Sequence, residues 1–418
     1  MPSEPLTSAR SGGRPRRTPF RPARWAVSTL LGVIGAVLLP GVAVPTPAMV
    51  AQAVKLRSGT AVLSVPSGWS VSVAAEGLPR VRFLTPTPDG RVMATTLHNL
   101  ADNTRGTLEI LDGFDERSGR FTRVTRYLGG LRNPNSVAFL TDGPATWLYV
   151  ALTDRLVRYP WRAGDTAPSG AAQDVVRLPD FGRPVSEGGW HLTRTVLVGP
   201  DRRIYLSVGS SCNACTERER ERASILRMNP DGSGLEVYAT GLRNSVGMAF
   251  IDGKLTVTAM GVDHLGDDLP SEAVFEVRPF GFHGWPSCYV DRTGAQQVDP
   301  RYGAPGRCTA AVAPIAWFPA HAAPLGITRL GRDHRSALLR DATLVALHGS
   351  SNTRLRAGYA VVRLGRGGRH QTLVGGFLPS SGKPIARPCG ILEFGPDRFL
   401  LTDDKGGNVL LVRAGTAL

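Results

Sequence analysis

A short pattern of polar and hydrophobic residues recurs along the chain. Each copy is an Asp-containing turn followed by a stretch in which apolar and polar residues alternate, as in Gly199-Pro200-Asp201 and the following Ile204 to Ser207. The turn residues favour a tight reversal of the chain, and the spacing of two indicates a half-buried strand. The aspartates of the six copies are Asp89, Asp142, Asp201, Asp252, Asp341 and Asp397.

The copies recur at intervals that are typical of propeller blades. Successive aspartates lie 53, 59, 51, 89 and 56 residues apart. A small sheet cannot bury both of its faces alone, so such units stack in a ring. The pattern predicts an all-β fold, a six-bladed β-propeller with four-stranded antiparallel blades, over residues 54–418. The longest interval predicts an insertion at about residues 262–325. Seven blades or a split sandwich are the competing arrangements.

The N-terminal segment has the pattern of an export signal. An arginine-rich start precedes an uncharged apolar run from Ala26 to Leu39, and Ala51-Gln52-Ala53 offers small residues at the spacing of a cleavage site. This order predicts a signal peptide at residues 1–53 and a periplasmic or extracellular protein. An uncleaved membrane anchor is the alternative, because no residue from Trp25 to Val54 is charged. Three prolines interrupt that run and favour cleavage.

Charge and composition argue against a nucleic-acid-binding protein and for one built from strands and turns. The chain has 418 residues and a formal charge of +15. Of its 49 basic residues four are lysines, which leaves 49 − 4 = 45 arginines. Such a bias reflects base composition of the gene more than a phosphate-binding face, so nucleic acid is not an expected partner. The 49 glycines and 32 prolines fit a protein of strands and turns.

The five cysteines fit an exported protein, since disulfides persist in oxidising compartments. We expect two loop disulfides, Cys212–Cys215 and Cys288–Cys308, with Cys389 left over. A redox-active Cys212–Cys215 pair is the alternative. A zinc site is not expected, because the chain lacks a second C-x-x-C motif or paired histidines.

Three segments carry candidate chemistry, whereas the common nucleotide-binding and hydrolase motifs are missing. His191 precedes a blade strand, where it could act as a base or be a structural residue. The Arg243-Asn244 pair offers a cation and an amide, or is a surface loop. The loop 261–272 carries Asp263 and Glu272, whose carboxylates suit calcium or are merely solvated.

These segments, in this order and together with Gly281-Phe282-His283-Gly284-Trp285-Pro286, resemble the glucose/sorbosone dehydrogenase family. The resemblance runs from about Gly77 to Val412. The segment from Ser211 to Cys215 is more similar to the sorbosone-dehydrogenase-like branch. The resemblance implies a six-bladed quinoprotein that contains pyrroloquinoline quinone (PQQ) and calcium. It also implies a secreted oxidoreductase that oxidises an aldose or aldehyde sugar by hydride transfer to the quinone and passes the electrons to a quinone or cytochrome. A homodimer is compatible with it.

The resemblance also assigns roles to residues of this chain. It makes His191 the general base, and it places Arg243 and Asn244 beside the reacting carbonyl of the cofactor, with Arg243 polarising its oxygen. The residues that it and the acidic loop assign to calcium are Gly261, Val262, Asp263 and Glu272. The residues that it assigns to PQQ, besides Asn244, are Arg387 and either Arg354 or Arg356.

The sequence departs from the family pattern at several of these positions. Arg354 or Arg356 replaces a lysine, which keeps the charge but not the geometry. Val262 replaces a proline, and no glutamine corresponds to the family's substrate-side residue near Asn133. Two other functions therefore stay open. One is a propeller that binds a ligand or protein without catalysis, and the other is a metal-dependent lactone hydrolase that needs carboxylates at the propeller axis.

Overall fold

The structure is a computed structural model that describes residues 46–179, 190–303, 306–365 and 367–415. These residues fall into one compact unit, and strands make up nearly all of its regular structure. The strands are β1 (Met49–Leu56), β2 (Gly59–Pro66), β3 (Ser70–Glu76), β4 (Val81–Pro86), β5 (Val92–Thr96), β6 (Gly106–Asp115), β7 (Arg120–Leu131), β8 (Val137–Asp142), β9 (Ala145–Ala151), β10 (Arg155–Trp161), β11 (Gln173–Arg177), β12 (Arg194–Val198), β13 (Ile204–Val208), β14 (Ser224–Met228), β15 (Glu236–Thr240), β16 (Met248–Ile251), β17 (Lys254–Ala259), β18 (Glu272–Glu276), β19 (Cys288–Val290), β20 (Gln296–Val298), β21 (Ala316–Phe318), β22 (Pro324–Arg329), β23 (Thr343–Leu347), β24 (Ala360–Leu364), β25 (His370–Val374), β26 (Pro388–Glu393), β27 (Arg398–Asp403) and β28 (Asn408–Arg413). A short 3-10 turn lies at Thr353–Leu355.

The strands form six four-stranded antiparallel sheets, which confirms the predicted six-bladed propeller. Five blades use strands that are contiguous or nearly so in sequence: β4–β7, β8–β11, β12–β15, β16–β18 with β21, and β22–β25. The sixth combines β26, β27 and β28 with β3 from the start of the domain. The β19–β20 hairpin is an addition to the fourth blade and lies between β18 and β21. The longest interval between the repeated aspartates therefore contains the extra hairpin.

Each of the repeated aspartates lies at the turn between the first and second strands of its blade. In three copies the aspartate itself adopts the left-handed backbone conformation, with φ of 49° at Asp252, 53° at Asp341 and 56° at Asp397. Asp tolerates this conformation better than most side chains do. The alternating stretches recognised in the sequence are therefore the second strands of the blades.

The ring closes through strands from opposite ends of the domain. Residues of β3 pair antiparallel with β28, including Val71 with Val412 and Glu76 with Asn408. The hairpin formed by β1 and β2 lies outside the blades, and its buried residues pack into the cluster that contains Val71. This hairpin includes Ala51-Gln52-Ala53, the predicted cleavage motif, and Gln52 exchanges two hydrogen bonds with the backbone of Val71. Residues 1–45 of the predicted signal segment lie outside the described residues.

No helix in the described part of the chain is long and apolar enough to cross a membrane.

Polar side chains link the blades near the propeller axis. Arg82 of the first blade donates from Nε to Oδ1 of Asn135 over 3.0 Å, and Nδ2 of Asn135 donates to Oγ1 of Thr195 over 2.9 Å. Thr195 in turn donates to the carbonyl of Val246 over 2.7 Å. On the other side of the ring Thr402 donates to the carbonyl of Arg82 over 2.6 Å. These buried bonds fix the blades relative to one another, because an unpaired polar group here would be costly.

The antiparallel order of each blade determines which loops share a face. The connection between two blades and the loop between the second and third strands leave the ring on one side, which we call the upper face. The repeated aspartates lie on the opposite side. His191 and Arg243 precede the first strands of their blades, and the loop 261–272 joins a second strand to a third. The fold therefore brings all three candidate segments to the upper face.

The register of the closing strands predicts that a disulfide can lock the ring. Ser70 and Arg413 are direct partners, and opposed residues of antiparallel strands have Cα atoms about 4.5–5.5 Å apart, within disulfide range. We expect Ser70→Cys/Arg413→Cys to form the cross-link and to raise the free energy of unfolding by about 2–4 kcal/mol. Peptide mapping under non-reducing conditions and thermal unfolding measure both effects.

The matched control is Ser72→Cys/Arg413→Cys, which is two residues out of register and about 7–8 Å apart. A cross-link in the control but not in the in-register pair would contradict this closure.

Candidate active site

The upper face contains a cavity of about 650 Å³, a volume typical of sites for small molecules and cofactors. Loops from all six blades contribute to it. The lining residues include Arg82, Asn133, Trp190, His191, Arg243, Asn244, Met260, Gly261, Asp263, Glu272, His321, His348, Arg387 and Asp404. Most of the residues singled out in the sequence therefore meet in one place.

Three of the predicted site residues lie elsewhere. The Arg354 side chain is exposed and contacts Asn352, while the exposed Arg356 donates to the carbonyls of Leu378 and Pro379. Neither lines the cavity, so their positions do not support the prediction that one of them binds PQQ. The side chain of Val262 is buried and lines a separate cavity of about 40 Å³ that Gly261 and Arg243 also line, so the predicted calcium role of Val262 concerns its main-chain carbonyl alone.

His191 faces the cavity from the segment just before β12. Its Nδ1 lies 3.0 Å from both the carbonyl oxygen and the hydroxyl oxygen of Ser210. The hydroxyl donates to the carbonyl of Cys212, and a carbonyl can only accept, so these contacts place the proton on Nδ1. Nε2 is then left with a lone pair. Burial lowers the pKa of His191 well below its ordinary value, and the neighbouring Arg243 lowers it further. A Cβ on Gly209 would lie 2.5 Å from the Cβ of His191, so this approach requires glycine.

Arg243 is buried, and one edge of its guanidinium group is hydrogen-bonded to neighbouring residues. Its Nε donates to the main-chain carbonyl of Asn213 over 2.9 Å, and Nη2 donates to Oδ1 of Asn213 and to Oδ2 of Asp263 over 2.8 and 2.9 Å. Burial lowers the pKa of Arg243, against the opposing effect of Asp263. These bonds use Nε and Nη2 and leave Nη1 unengaged by the described residues.

Asn244 lies beside Arg243 on the same turn and is also buried. Its side-chain Nδ2 is 3.6 Å from the sulfur of Met260. Its main-chain carbonyl accepts a hydrogen bond from the backbone N–H of Met260 over 3.2 Å. The turn before β16 is thereby tied to the end of β17. Asn244 and Arg243 are both presented to the cavity by this one connection between blades.

The acidic loop places two carboxylates of different character at the cavity. Asp263 is half-exposed and paired with Arg243. Glu272 is buried and accepts a 2.8 Å hydrogen bond from the N–H of Gly261. Burial raises the pKa of Glu272 to about 7, and the Gly261 hydrogen bond only partly offsets this. No cation of the described chain lies within ion-pair distance of Glu272, so a bound cation would stabilise its charged form.

A buried ion cluster forms the opposite wall of the cavity. Asp404 accepts from Nη1 of Arg82 over 2.9 Å and lies 2.8 Å from Nε2 of His348. Burial alone would raise the pKa of Asp404, but His348 and Arg82 together hold it well below its usual range. Arg387 adjoins the cluster and donates to the carbonyls of Gly349 and Ser350, and no carboxylate neutralises its charge within the described residues.

Both expected disulfides are present, Cys212–Cys215 and Cys288–Cys308, and Cys389 is a free buried cysteine. Burial raises the pKa of Cys389 to about 12, so it is an unreactive thiol. Among the described residues one group of three potential metal-ligating side chains comes together, namely Cys212, Cys215 and Glu217. Its cysteines are oxidised to the disulfide and have no thiolate to donate.

Sequence similarity to curated proteins gives little guidance on function. No family model matches the chain. An uncharacterized protein of Borreliella burgdorferi is 27% identical over 239 residues, which are 55% of this chain and 62% of that relative. The match thus covers less than two thirds of the relative's length.

Solved structures are more informative about the fold. The PQQ domain of pyranose dehydrogenase from Coprinopsis cinerea, in its holo form, matches 84% of this chain and 97% of its own, with a TM-score of 0.66 and 19% identity. A calcium structure of a Carbohydrate-Active Enzymes Family AA12 protein from Trichoderma reesei matches 90% and 100%, with a TM-score of 0.67 and 18% identity. The PQQ-bound aldose sugar dehydrogenase of Streptomyces coelicolor matches 84% and 99%, with a TM-score of 0.54 and 20% identity.

The chain shares its fold with sugar dehydrogenases. At these identities the similarity establishes the architecture, whereas the chemistry has to be inferred from the residues of the cavity.

Sequence reasoning assigned no role to several residues that build this site. Ser210 and Asn213 support His191 and Arg243, while His348 and Asp404 form the opposite wall. A positional signal exists for two of them, because His348 and Asp404 each directly follow the second strand of a blade. That position opens onto the upper face, so polar residues there are candidates for the cavity.

The ion cluster predicts a large difference between two aspartates. Asp404→Asn leaves the Arg82 guanidinium without its anion in a buried site, so we expect a loss of about 3 kcal/mol in the free energy of unfolding. Asp268→Asn removes one partner of an ion pair in which both side chains are mostly exposed, and it should change stability by less than about 0.5 kcal/mol. Urea unfolding of both variants measures the difference. Equal stability of the two variants would show that Asp404 is not needed for the packing of the site.

Proposed function

We propose that this chain is a PQQ-dependent oxidoreductase that oxidises an aldose or aldehyde sugar. The observation that carries the proposal is the convergence of His191 and Arg243 on one cavity of about 650 Å³. The histidine offers an unprotonated Nε2, and the arginine offers an Nη1 to which no described residue is hydrogen-bonded. A base and a hydrogen-bond donor at one cavity form the minimal set for removing a proton from a hydroxyl while charge develops nearby.

His191 takes the proton of the sugar hydroxyl in this proposal. Its Nδ1 hydrogen bond to Ser210 holds the ring in one tautomer and one orientation. The lowered pKa keeps the imidazole neutral, and therefore basic, in the resting site. Positioning of this kind reduces the entropic cost of reaching the reactive geometry.

Arg243 stabilises negative charge on an oxygen at the cavity. Asn213 and Asp263 fix two nitrogens of its guanidinium, so the remaining amino group cannot reorient freely. A donor that is already oriented needs no reorganisation when charge develops, which is the main source of electrostatic stabilisation in active sites.

The charges of the cavity fit PQQ and calcium. PQQ, when bound, supplies a quinone that accepts hydride. Arg387 has no carboxylate partner in the described chain and would hold a carboxylate of the cofactor, and Asn244 would contact it beside Arg243. Calcium would be held by Glu272, whose buried carboxylate pairs with no cation of the described residues, with Asp263 and the main-chain carbonyls of Gly261 and Val262 as further oxygen donors.

The proposal includes export and an external electron acceptor. The two disulfides support folding in the periplasm or outside the cell, as a secreted enzyme with an N-terminal signal peptide. A quinone or a cytochrome would take the electrons. A homodimer is part of the same proposal.

A lactone hydrolase is less well supported by the site. That chemistry needs several carboxylates gathered around a metal ion. Asp404 and Asp263 are instead paired with arginines. No group of three or more potential metal-ligating side chains forms at the cavity among the described residues.

Cofactor binding and turnover test the proposal together. We expect calcium-dependent binding of PQQ with a dissociation constant of about 1 μM or lower, measured by calorimetry, and dye-linked oxidation of at least one aldose. His191→Ala should keep PQQ binding but lower kcat by about 10²–10⁴-fold, because only the proton transfer is lost. His370→Ala, which removes an exposed histidine outside the cavity, is the control.

Absence of PQQ binding with and without calcium would contradict the proposed function and favour a non-catalytic binding propeller. Full activity of His191→Ala would remove His191 from the mechanism.

The pH profile gives a separate prediction. Because the folded protein disfavours charged His191, its pKa lies well below the ordinary 6.5, and the base stays neutral as pH falls through that value. We therefore expect the acid limb of kcat/KM for the free enzyme to lie below pH 6.5. Steady-state kinetics over a range of pH, with a stable substrate, measure it. An acid limb at or above pH 6.5 would contradict the environment described for His191.

A further inference from the structure

Asn213 makes four hydrogen bonds that converge on the cavity wall. Its main-chain carbonyl accepts from Nε of Arg243 over 2.9 Å and from Nε1 of Trp285 over 3.0 Å. Its side-chain Oδ1 accepts from Nη2 of Arg243 over 2.8 Å and from the N–H of Asp263 over 2.9 Å. A single neutral residue thus binds one edge of the Arg243 guanidinium. The same residue also binds the acidic loop, whose Asp263 contacts that guanidinium.

The loop that contains Asn213 also supports the histidine. Ser210 binds Nδ1 of His191 through its carbonyl, and its N–H donates to the carbonyl of Arg243 over 2.7 Å. The Ser210 hydroxyl donates to the carbonyl of Cys212 over 2.6 Å. The base and the cation of the cavity are therefore connected through one short segment.

A disulfide closes this segment around Asn213. Cys212 and Cys215 are joined with two residues between them. Asn213 and Ala214 are therefore confined to a small covalent ring. Ala214 packs with Val262 and Trp285 against the back of the cavity wall. Without the cross-link, only the hydrogen bonds and the packing of Ala214 would offset the entropic cost of holding Asn213 in place.

We propose that Asn213 is a positioning residue for Arg243 and that the Cys212–Cys215 disulfide holds Asn213 in the position that orients this arginine. Asn213 acts through Arg243 and does not itself reach the cavity. The kinetic part of this inference rests on the proposed function, whereas the structural part does not. The disulfide is then part of the support of the site, not a redox centre of the reaction.

Three variants test the proposal. Asn213→Ala removes the side-chain acceptor, Asn213→Asp keeps an acceptor oxygen at the same place, and Cys212→Ser/Cys215→Ser removes the cross-link without leaving a lone thiol. The control is Cys288→Ser/Cys308→Ser, which removes the other disulfide of the same chain.

The first readout does not depend on cofactor or activity. The N–H of Asp263 donates to Oδ1 of Asn213, so its hydrogen exchange reports this contact. Exchange at Asp263, followed by mass spectrometry of the apoprotein, should be about tenfold faster in Asn213→Ala and in Cys212→Ser/Cys215→Ser. It should be close to wild type in Asn213→Asp and in the control.

The second readout is kinetic. In the PQQ-loaded enzyme we expect kcat to fall about 10- to 100-fold in Asn213→Ala and in Cys212→Ser/Cys215→Ser, with KM changed by less than about threefold, because a misplaced donor chiefly weakens transition-state stabilisation. Asn213→Asp should restore most of kcat. A merely structural role would lower the melting temperature without this split between kcat and KM.

The outcomes separate the two proposals. Unchanged exchange at Asp263 in Asn213→Ala, or in the Cys212→Ser/Cys215→Ser protein, would overturn the inference whatever the enzyme does. Faster exchange in an apoprotein that never turns over a sugar would uphold the positioning and overturn the proposed function. Should the double variant fail to fold, Asn213→Ala with its disulfide intact decides the question.

Discussion

The pairing of β3 with β28 is the constraint on which the rest of the structure depends. It joins the first strand of the ring to the last, so each blade has a neighbour on both sides. Only in a closed ring do connections from all six blades face one axis, and the cavity is made from those connections. The bonds from Arg82 through Asn135 to Thr195 then fix the angle between neighbouring blades. Closure thus acts on the site through the packing of blades rather than through any residue of β3.

Much of the fold could be predicted because its signals are local. A turn aspartate and the alternating strand after it lie within about ten residues, so six copies reveal six second strands. The disulfides could be predicted because sequence separation and compartment limit the choices. Part of the site could also be predicted from the sequence, since His191, Arg243 and Glu272 lie in segments recognisable by their composition. The chain's first and third strands in each blade carry no comparable signal.

The remaining site residues could not be predicted because their environment is assembled from distant blades. Asp404 can stay charged in its buried position because Arg82 and His348 lie beside it, and these two residues come from two other blades. The resemblance to the dehydrogenase family assigns Arg354 or Arg356 to the cofactor, because one of them stands where the family has a lysine. Arg356 ends the 3-10 turn in the left-handed conformation, with φ of 49°, and its guanidinium donates to the carbonyls of Leu378 and Pro379.

The charge pattern of the cavity explains why two groups remain to be matched by a ligand. Arg82 is neutralised by Asp404, and Arg243 by Asp263. Arg387 and Glu272 have no oppositely charged partner within ion-pair distance in the described residues. A charge that is taken out of water without a partner is costly, so the charged forms of the buried Glu272 and the half-buried Arg387 are best stabilised by a ligand that brings a cation to the first and an anion to the second. A carboxylate-bearing cofactor bound together with a divalent cation meets both requirements at once, whereas a neutral sugar alone meets neither.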